Sequence, residues 1–252
     1  MTGSPPTGSL VIVGTGPGKP ELMTPATRAA LAQATDLVGY GPYLDRVIPM
    51  RDGQRRHASD NRAELERARQ ALTLAAQGHA VAVVSGGDPG VFAMAAAVFE
   101  ALESGDPAWR DLDIRVEPGV TAMLAAAAEV GAPLGGDFCA ISLSDNLKSW
   151  ATIERRLKAA AEADFAIALY NPASKARPHQ LGQAFAVLRT VKAADTLVLL
   201  VRAAGTSESQ VISTTLAEAN ANQADMRTLV IVGASTTRRV GRWVYTPRGA
   251  TP

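Results

Sequence analysis

The stretch Ser85-Gly86-Gly87-Asp88-Pro89-Gly90 sets one carboxylate among three glycines. Glycine leaves room for the backbone to approach a ligand, and a carboxylate there can accept hydrogen bonds from a ligand's polar groups. The same aspartate is also suited to cap the helix read over 91–103, and residues 86–92 can serve both purposes. Four other stretches have the same character: Gly14-Thr15-Gly16-Pro17-Gly18, Tyr170-Asn171-Pro172, Arg202-Ala203-Ala204-Gly205 and Gly233-Ala234-Ser235. Each follows a short apolar run. Any one alone reads as a turn, but five, in both halves of the chain, point to a ligand cleft. None completes a nucleotide motif. A dinucleotide fingerprint needs a third glycine where Lys19 stands and an acid at the end of the second strand, whereas Asp36 opens it. A phosphate-binding P-loop needs glycine at Val13 and Ser or Thr at Pro20.

Metal and nucleophile chemistry has little material here. His57, His79 and His179 are far apart and have no cysteine company, so no metal site of familiar spacing is expected. Cys139 is the one cysteine, which excludes an intrachain disulfide. No Gly-x-Ser-x-Gly elbow occurs. His79 is expected to cap carbonyls where a helix ends, and His179 and Cys139 to be structural. Arg51, Arg55, Arg56 and His57 fall between two predicted elements, as a solvated charge run or as a local anion-binding cluster.

The elements that must position these residues alternate. Strands are read at 10–13, from Asp36, at 80–84, 112–116, 138–143, 165–170, 196–201, 210–214 and 228–232, with 210–214 a candidate antiparallel member. Helices are read at 24–34, 61–77, 91–103, 120–130, 150–163 and near 180–188. Asn61 and Glu64 suit a capping box, and Leu65, Ala68, Leu72 and Ala75 share one helical face. Such alternation predicts an α/β protein with largely parallel sheets. The break at Glu117-Pro118-Gly119 lies near the midpoint of 252 residues and favours two domains, 9–117 and 118–252, over one barrel. The first eight residues are small, polar and proline-rich, and are expected to form a disordered arm rather than a signal peptide. With 25 basic and 24 acidic residues the net charge is +1, which argues against a general nucleic-acid binder. No run of 18 apolar residues occurs, so no membrane span is expected and the cytoplasm is the default compartment.

Taken together, Gly14-Thr15-Gly16-Pro17-Gly18, Leu22-Met23-Thr24, Gly87-Asp88-Pro89-Gly90, Pro118-Gly119-Val120-Thr121-Ala122 and Tyr170-Asn171-Pro172 resemble the tetrapyrrole methylases, the S-adenosylmethionine-dependent enzymes of the corrin and sirohaem pathways. The similarity runs from about Ser9 to Gly249. Within that family, Gly39-Tyr40-Gly41-Pro42-Tyr43-Leu44, Gly131-Ala132-Pro133-Leu134, Asp137-Phe138, Ile141-Ser142-Leu143-Ser144-Asp145, Asp164-Phe165, Tyr170-Asn171-Pro172-Ala173-Ser174 and Thr246-Pro247-Arg248-Gly249 look like members that methylate carbon 17 of a precorrin and contract its ring. The resemblance implies two α/β domains, a homodimer, and S-adenosylmethionine, leaving as S-adenosylhomocysteine, in the cleft between the domains. It places Pro17, Gly86, Gly87, Asp88 and Val91 along the cofactor, Thr121 and Ala122 on another side, and Tyr170, Asn171, Ala203 and Ala204 closing the pocket. It implies a substrate bearing acetate and propionate groups, for which Arg51 is the best single candidate. Ring contraction implies proton loss from a hydroxyl, for which Asp145 and Lys148 are candidates; alternatively Asp145 starts a helix and Lys148 is solvated. Rival readings are an anaerobic counterpart acting on a cobalt-containing precorrin, a nonenzymatic sensor of S-adenosylmethionine or tetrapyrrole, and a nucleotide-dependent oxidoreductase, which the failed fingerprint disfavours.

Overall fold

The computed structural model describes residues 8–47, 51–60, 63–174 and 176–249. The expected arm at 1–8 thus falls almost wholly outside the described residues, as does Asn61 of the expected capping box. The chain divides into two compact units, Met1–Thr121 and Ala122–Pro252.

The first unit contains β1 (Ser9–Gly14), α1 (Pro25–Gln33), β2 (Asp36–Tyr40), the single turn α2 (Gly41–Leu44), β3 (Arg55–Ser59), α3 (Glu64–Ala76), β4 (Ala80–Ser85), α4 (Met94–Ser104) and β5 (Asp113–Glu117). Its sheet has the order β3-β2-β4-β1-β5, with every neighbouring pair parallel. Unbroken apolar runs suit β1 and β4, because helices cover both faces of such a sheet. Leu10 and Ile12 of β1 pack with α3 and α4, while Val11 and Val13 pack with α1 and the α2 segment. Each such side chain, fully buried, contributes about 1.5–3 kcal/mol. Thr24 caps α1 by accepting from the Thr27 N–H, and Pro25 sits at the first helical position. Thr27 in turn donates from its buried hydroxyl to the Gly14 carbonyl at 3.1 Å, pinning the helix to the end of β1.

β1 leads into α1 on one face, whereas its neighbour β4 leads into α4 on the other. The crevice where outgoing helices part is the topological switch point at which open α/β sheets bind ligands.

The second unit contains α5 (Ala122–Val130), β6 (Gly131–Ala132), β7 (Phe138–Ser142), α6 (Trp150–Glu162), β8 (Ala166–Tyr170), α7 (Gln180–Leu188), β9 (Leu197–Arg202), β10 (Gln210–Thr215), β11 (Thr228–Val232), β12 (Arg238–Val240) and β13 (Trp243–Tyr245). Its main sheet has the order β10-β9-β11-β8-β7. Only β7 and β8 pair in parallel; β8–β11, β11–β9 and β9–β10 are antiparallel. The expectation of largely parallel sheets therefore describes the first sheet, and the second is mixed. α6 and α7 bury Ile153, Leu157, Leu181 and Phe185 against β8, β9 and β11. A small sheet, β12-β13-β6, completes the unit.

Three local expectations change. Residues 55–59, expected as part of a loop, form β3. α4 begins at Met94 rather than 91, because Phe92 takes the left-handed conformation (φ 52°), which no helix continues. α3 begins at Glu64, with Ala63 at the N-cap and no side-chain cap. Among the described residues, no helix is long and apolar enough to cross a membrane.

Candidate functional site

In the first unit the exits of β1, β4 and β5 interlock through backbone. Thr15 donates its N–H to the Ser85 carbonyl at 2.9 Å and its hydroxyl to the same oxygen at 3.0 Å. Gly16 and Gly87 exchange both N–H···O bonds, at 3.1 and 2.8 Å. Gly87 has φ +66°, where a side chain would be strained. A Cβ on Gly119 would lie 2.2 Å from the Gly87 carbonyl oxygen and 2.8 Å from that of Gly14, so this third loop must be glycine to stack on the other two.

Asp88 fastens that stack. One carboxylate oxygen accepts from Gly90 N–H at 2.8 Å and the other from Gly119 N–H at 3.0 Å. It does not cap α4, whose N-cap position is Ala93. Both oxygens being engaged, the backbone of residues 86–91 is the part of this loop best placed to meet a ligand. Gly86 packs under Tyr43, whose ring carbons lie 2.8 Å from where a Cβ would stand. Beside it is a cavity of about 60 Å³ lined by Tyr43, Glu64, Arg67, Ser85, Gly86 and Met94. Arg67, 2% exposed, is held by the Ser59 hydroxyl at 2.8 Å, the Asp60 carbonyl at 2.5 Å and the Met94 sulfur at 3.2 Å. Burial lowers its pKa and raises that of Tyr43. In the sequence the signal for Arg67 is its spacing, four residues before Ala71 and eight before Ala75, on the buried side of α3.

The basic stretch at 51–57 resolves into different roles. Asp36 has no exposed side-chain surface and accepts from Arg55 (2.8 Å), His57 Nε2 (2.8 Å), Thr35 (2.7 Å) and His79 Nδ1 (2.9 Å). Burial pushes its pKa up, but these partners outweigh burial and hold it well below the usual carboxylate range. His79 is thus a partner of Asp36 rather than a helix cap, and Arg55 and His57 are structural. Arg56 pairs with Asp45 at 2.5 Å. Arg51 stands apart: it donates to the Ala34 carbonyl at 3.2 Å and lines a cavity of about 420 Å³ along α1.

In the second unit the strand exits are again tied by specific bonds. Asn171, in the left-handed conformation (φ 54°), donates from Nδ2 to the Ser142 hydroxyl at 2.9 Å. The Tyr170 hydroxyl accepts from Met123 N–H in the first turn of α5 at 3.1 Å. Ala203 is also left-handed (φ 51°), and Thr206 donates its hydroxyl to the Ala203 carbonyl at 2.8 Å. Glu129, missed in the sequence, anchors this loop by accepting from Gly205 N–H at 2.6 Å and from the Ser209 hydroxyl. Among the described residues four non-glycine residues are left-handed, and three of them, Phe92, Asn171 and Ala203, lie in loops that follow a strand. Such strain, on the order of 1–3 kcal/mol each, concentrates at ligand sites. Asp145 accepts from Gln180 Nε2 at 3.3 Å and faces Arg177 at 3.9 Å. Burial, then the nearby Arg156 charge, lowers the pKa of Lys148. Burial also raises that of the Cys139 thiol, which packs on the core of the unit.

The strand exits of both α/β units present glycine, alanine and asparagine, as the loops of the tetrapyrrole methylase resemblance require. The profile of the tetrapyrrole (corrin/porphyrin) methylases matches residues 9–220, and the chain belongs to that family. A Sinorhizobium protein, precorrin-3B C(17)-methyltransferase, is 58% identical over 247 residues, covering 96% of this chain and 97% of its own. A probable cobalt-factor III C(17)-methyltransferase of Salmonella typhimurium is 41% identical over 242 residues, covering 96% and 99%. The crystal structure of the methyltransferase CobJ matches with a TM-score of 0.93 and 55% identity, covering 95% of this chain and 100% of that one.

Proposed function

We propose that this chain is an S-adenosylmethionine-dependent methyltransferase of cobalamin biosynthesis. It methylates C17 of precorrin-3B and contracts the ring to give precorrin-4. The observation that carries this reading is the 58% identity, spread over nearly the full length of both chains, to a protein of that activity. The cobalt-dependent counterpart is less favoured, at 41% identity over an equal share.

What supports the cofactor reading is the run of glycine and alanine at the strand exits. An adenosine and an amino-acid tail would be met by backbone at these loops, whose glycines leave room for close approach. Pro17, Gly86, Gly87 and Val91 are proposed to contact it, with Asp88 holding their loop in place. Thr121, Ala122, Tyr170, Asn171, Ala203 and Ala204 are proposed to complete its binding. S-adenosylmethionine supplies a methyl group on a sulfonium, whose leaving group is a neutral thioether. The protein's task is then alignment and exclusion of water, which can lower a barrier by about 7–11 kcal/mol at best. That task needs no histidine or metal. Asp145 and Lys148 are proposed to assist proton movement in ring contraction, and Arg51 to meet a substrate carboxylate. The active form is proposed to be a cytoplasmic homodimer.

The test is incubation of the purified chain with methyl-labelled S-adenosylmethionine and metal-free precorrin-3B, followed by mass and absorbance. Label on a contracted macrocycle is expected. Transfer only to a cobalt-loaded substrate, or binding without transfer, would overturn the assignment.

A further inference from the structure

The cavity that Arg51 lines is ringed by three further cations, Lys19, Arg28 and Arg46. No acidic residue lines it among the described residues, and none of the four cations has a carboxylate within 4.0 Å there. Other arginines of the chain find acids: Arg55 with Asp36, Arg56 with Asp45, Arg202 with Asp225, Arg227 with Glu208. Arg28 instead gives one N–H to the Pro20 carbonyl, Arg51 one to Ala34, and Arg46 lies 5.4 Å from the centre of the Tyr43 ring. A guanidinium has five N–H donors, and among the described residues these contacts occupy few of them. Like charges around one hollow repel, and an anion entering it would relieve that repulsion.

The wall of the hollow is apolar, with Met23 and the buried Leu31. One end reaches Thr15, two residues from Pro17, and the cavity then follows α1 to Gln54. An apolar wall with a cationic rim suits a ligand that pairs a greasy skeleton with several carboxylates. At about 420 Å³ the space takes one edge of a macrocycle and its arms, not the whole ring.

We infer that this cavity holds carboxylate arms of the tetrapyrrole substrate, with Lys19, Arg28 and Arg46 joining Arg51 as the groups that grip them. The inference rests on the function proposed above, and its test separates the two. The double variant Arg28→Gln/Arg46→Gln and the charge-keeping pair Arg28→Lys/Arg46→Lys are compared with the parent, after thermal melting establishes that all three fold. Each lost charge should raise the KM for precorrin-3B about fivefold, the upper range for a solvent-exposed pair, and the pair roughly 25-fold if independent. Turnover number and S-adenosylhomocysteine affinity should stay within about twofold. The lysine pair should keep most of the affinity, and the difference should shrink in high salt.

A second measurement needs no turnover: absorbance titration with uroporphyrin, an eight-carboxylate macrocycle, alone and with citrate competing. The parent should bind it, and the glutamine pair should bind it at least tenfold more weakly. Unchanged KM and unchanged uroporphyrin binding in the glutamine pair would overturn the inference. So would displacement by citrate at equal concentration, which would make the cavity a site for small polycarboxylates. If the parent transfers no methyl group to any precorrin, the functional reading fails, and uroporphyrin binding still decides the cavity.

Discussion

At Asp36 the chemistry of a single carboxylate holds together three segments remote in sequence. Its four donors come from Thr35, the two β3 residues Arg55 and His57, and His79 just ahead of β4. An edge strand as polar as Arg-Arg-His-Ala-Ser has little apolar surface to bury, so this shared acceptor is what gives β3 a reason to pair. Asp36→Asn removes the charge that three basic groups face. Those groups are partly solvated, so the cost should be about 1–3 kcal/mol, below that of a fully buried ion pair broken on one side. The pH dependence has a definite sign. The folded-state pKa is depressed, so the stabilisation is complete above about pH 4, the unfolded value for an aspartate, and is lost as pH falls toward the lower folded value. Urea unfolding from pH 6 down to pH 2 should therefore show the parent losing stability on the acid side. Asp36→Asn should start lower and fall less. Equal acid slopes for the two would remove Asp36 as the cause.

At the scale of elements, Asp88 links the exit of β4 to the exit of β5, and that role could not be read from its neighbours in sequence. A glycine-flanked aspartate three residues before an apolar stretch looks like a helix cap. What decides otherwise is Gly119, thirty-one positions away, whose N–H the carboxylate accepts. Asp88→Ala should cost about 1–2 kcal/mol, chiefly by leaving the part-buried Gly119 N–H without a partner, the Gly90 N–H being exposed to water. It should also weaken S-adenosylhomocysteine binding, because residues 86–91 lose their anchor, and Asp88→Asn, which keeps one acceptor, should recover part of both. Calorimetry with denaturant melts of the two variants checks this. Parent-like ligand affinity for a destabilised Asp88→Ala would separate the anchor from the ligand site. Local periodicity located β1, β4, β8, α6 and α7 to within a residue or two, since their apolar runs and faces are set by burial of the element itself. It failed where the deciding partner was distant or the element was tiny: β3, the two- and three-residue strands of the small sheet, and the antiparallel pairings of β11. A strand's period carries no direction, so nothing in Leu229–Val232 signals which way its neighbours run. Glu129 was invisible for the same reason, since it is defined by a loop it meets far along the chain, whereas the spacing of Arg67 to Ala71 and Ala75 does place it on the buried side of α3.

For the whole chain, small-residue loops after strands were plain in both halves of the sequence, and their number mattered more than any one motif. The folded protein gives each half its own core, Leu10, Val38 and Leu72 among others in the first unit and Leu157, Leu169 and Phe185 in the second. Two cores permit two unfolding events, and a ligand stabilises only the parts that hold it. The proposed cofactor residues are drawn from both units, Gly86 and Gly87 from one and Tyr170, Asn171 and Ala203 from the other. Saturation with S-adenosylhomocysteine at about 100 times its dissociation constant adds roughly 2.7 kcal/mol to whatever unfolds together with the site. We expect scanning calorimetry to show the whole unfolding endotherm moving up with ligand, and amide exchange to slow both at residues 85–91 and at 170–174. If protection and the thermal shift are confined to the first unit, the ligand is held by the β1 and β4 exits alone, and the left-handed Asn171 and Ala203 need another explanation.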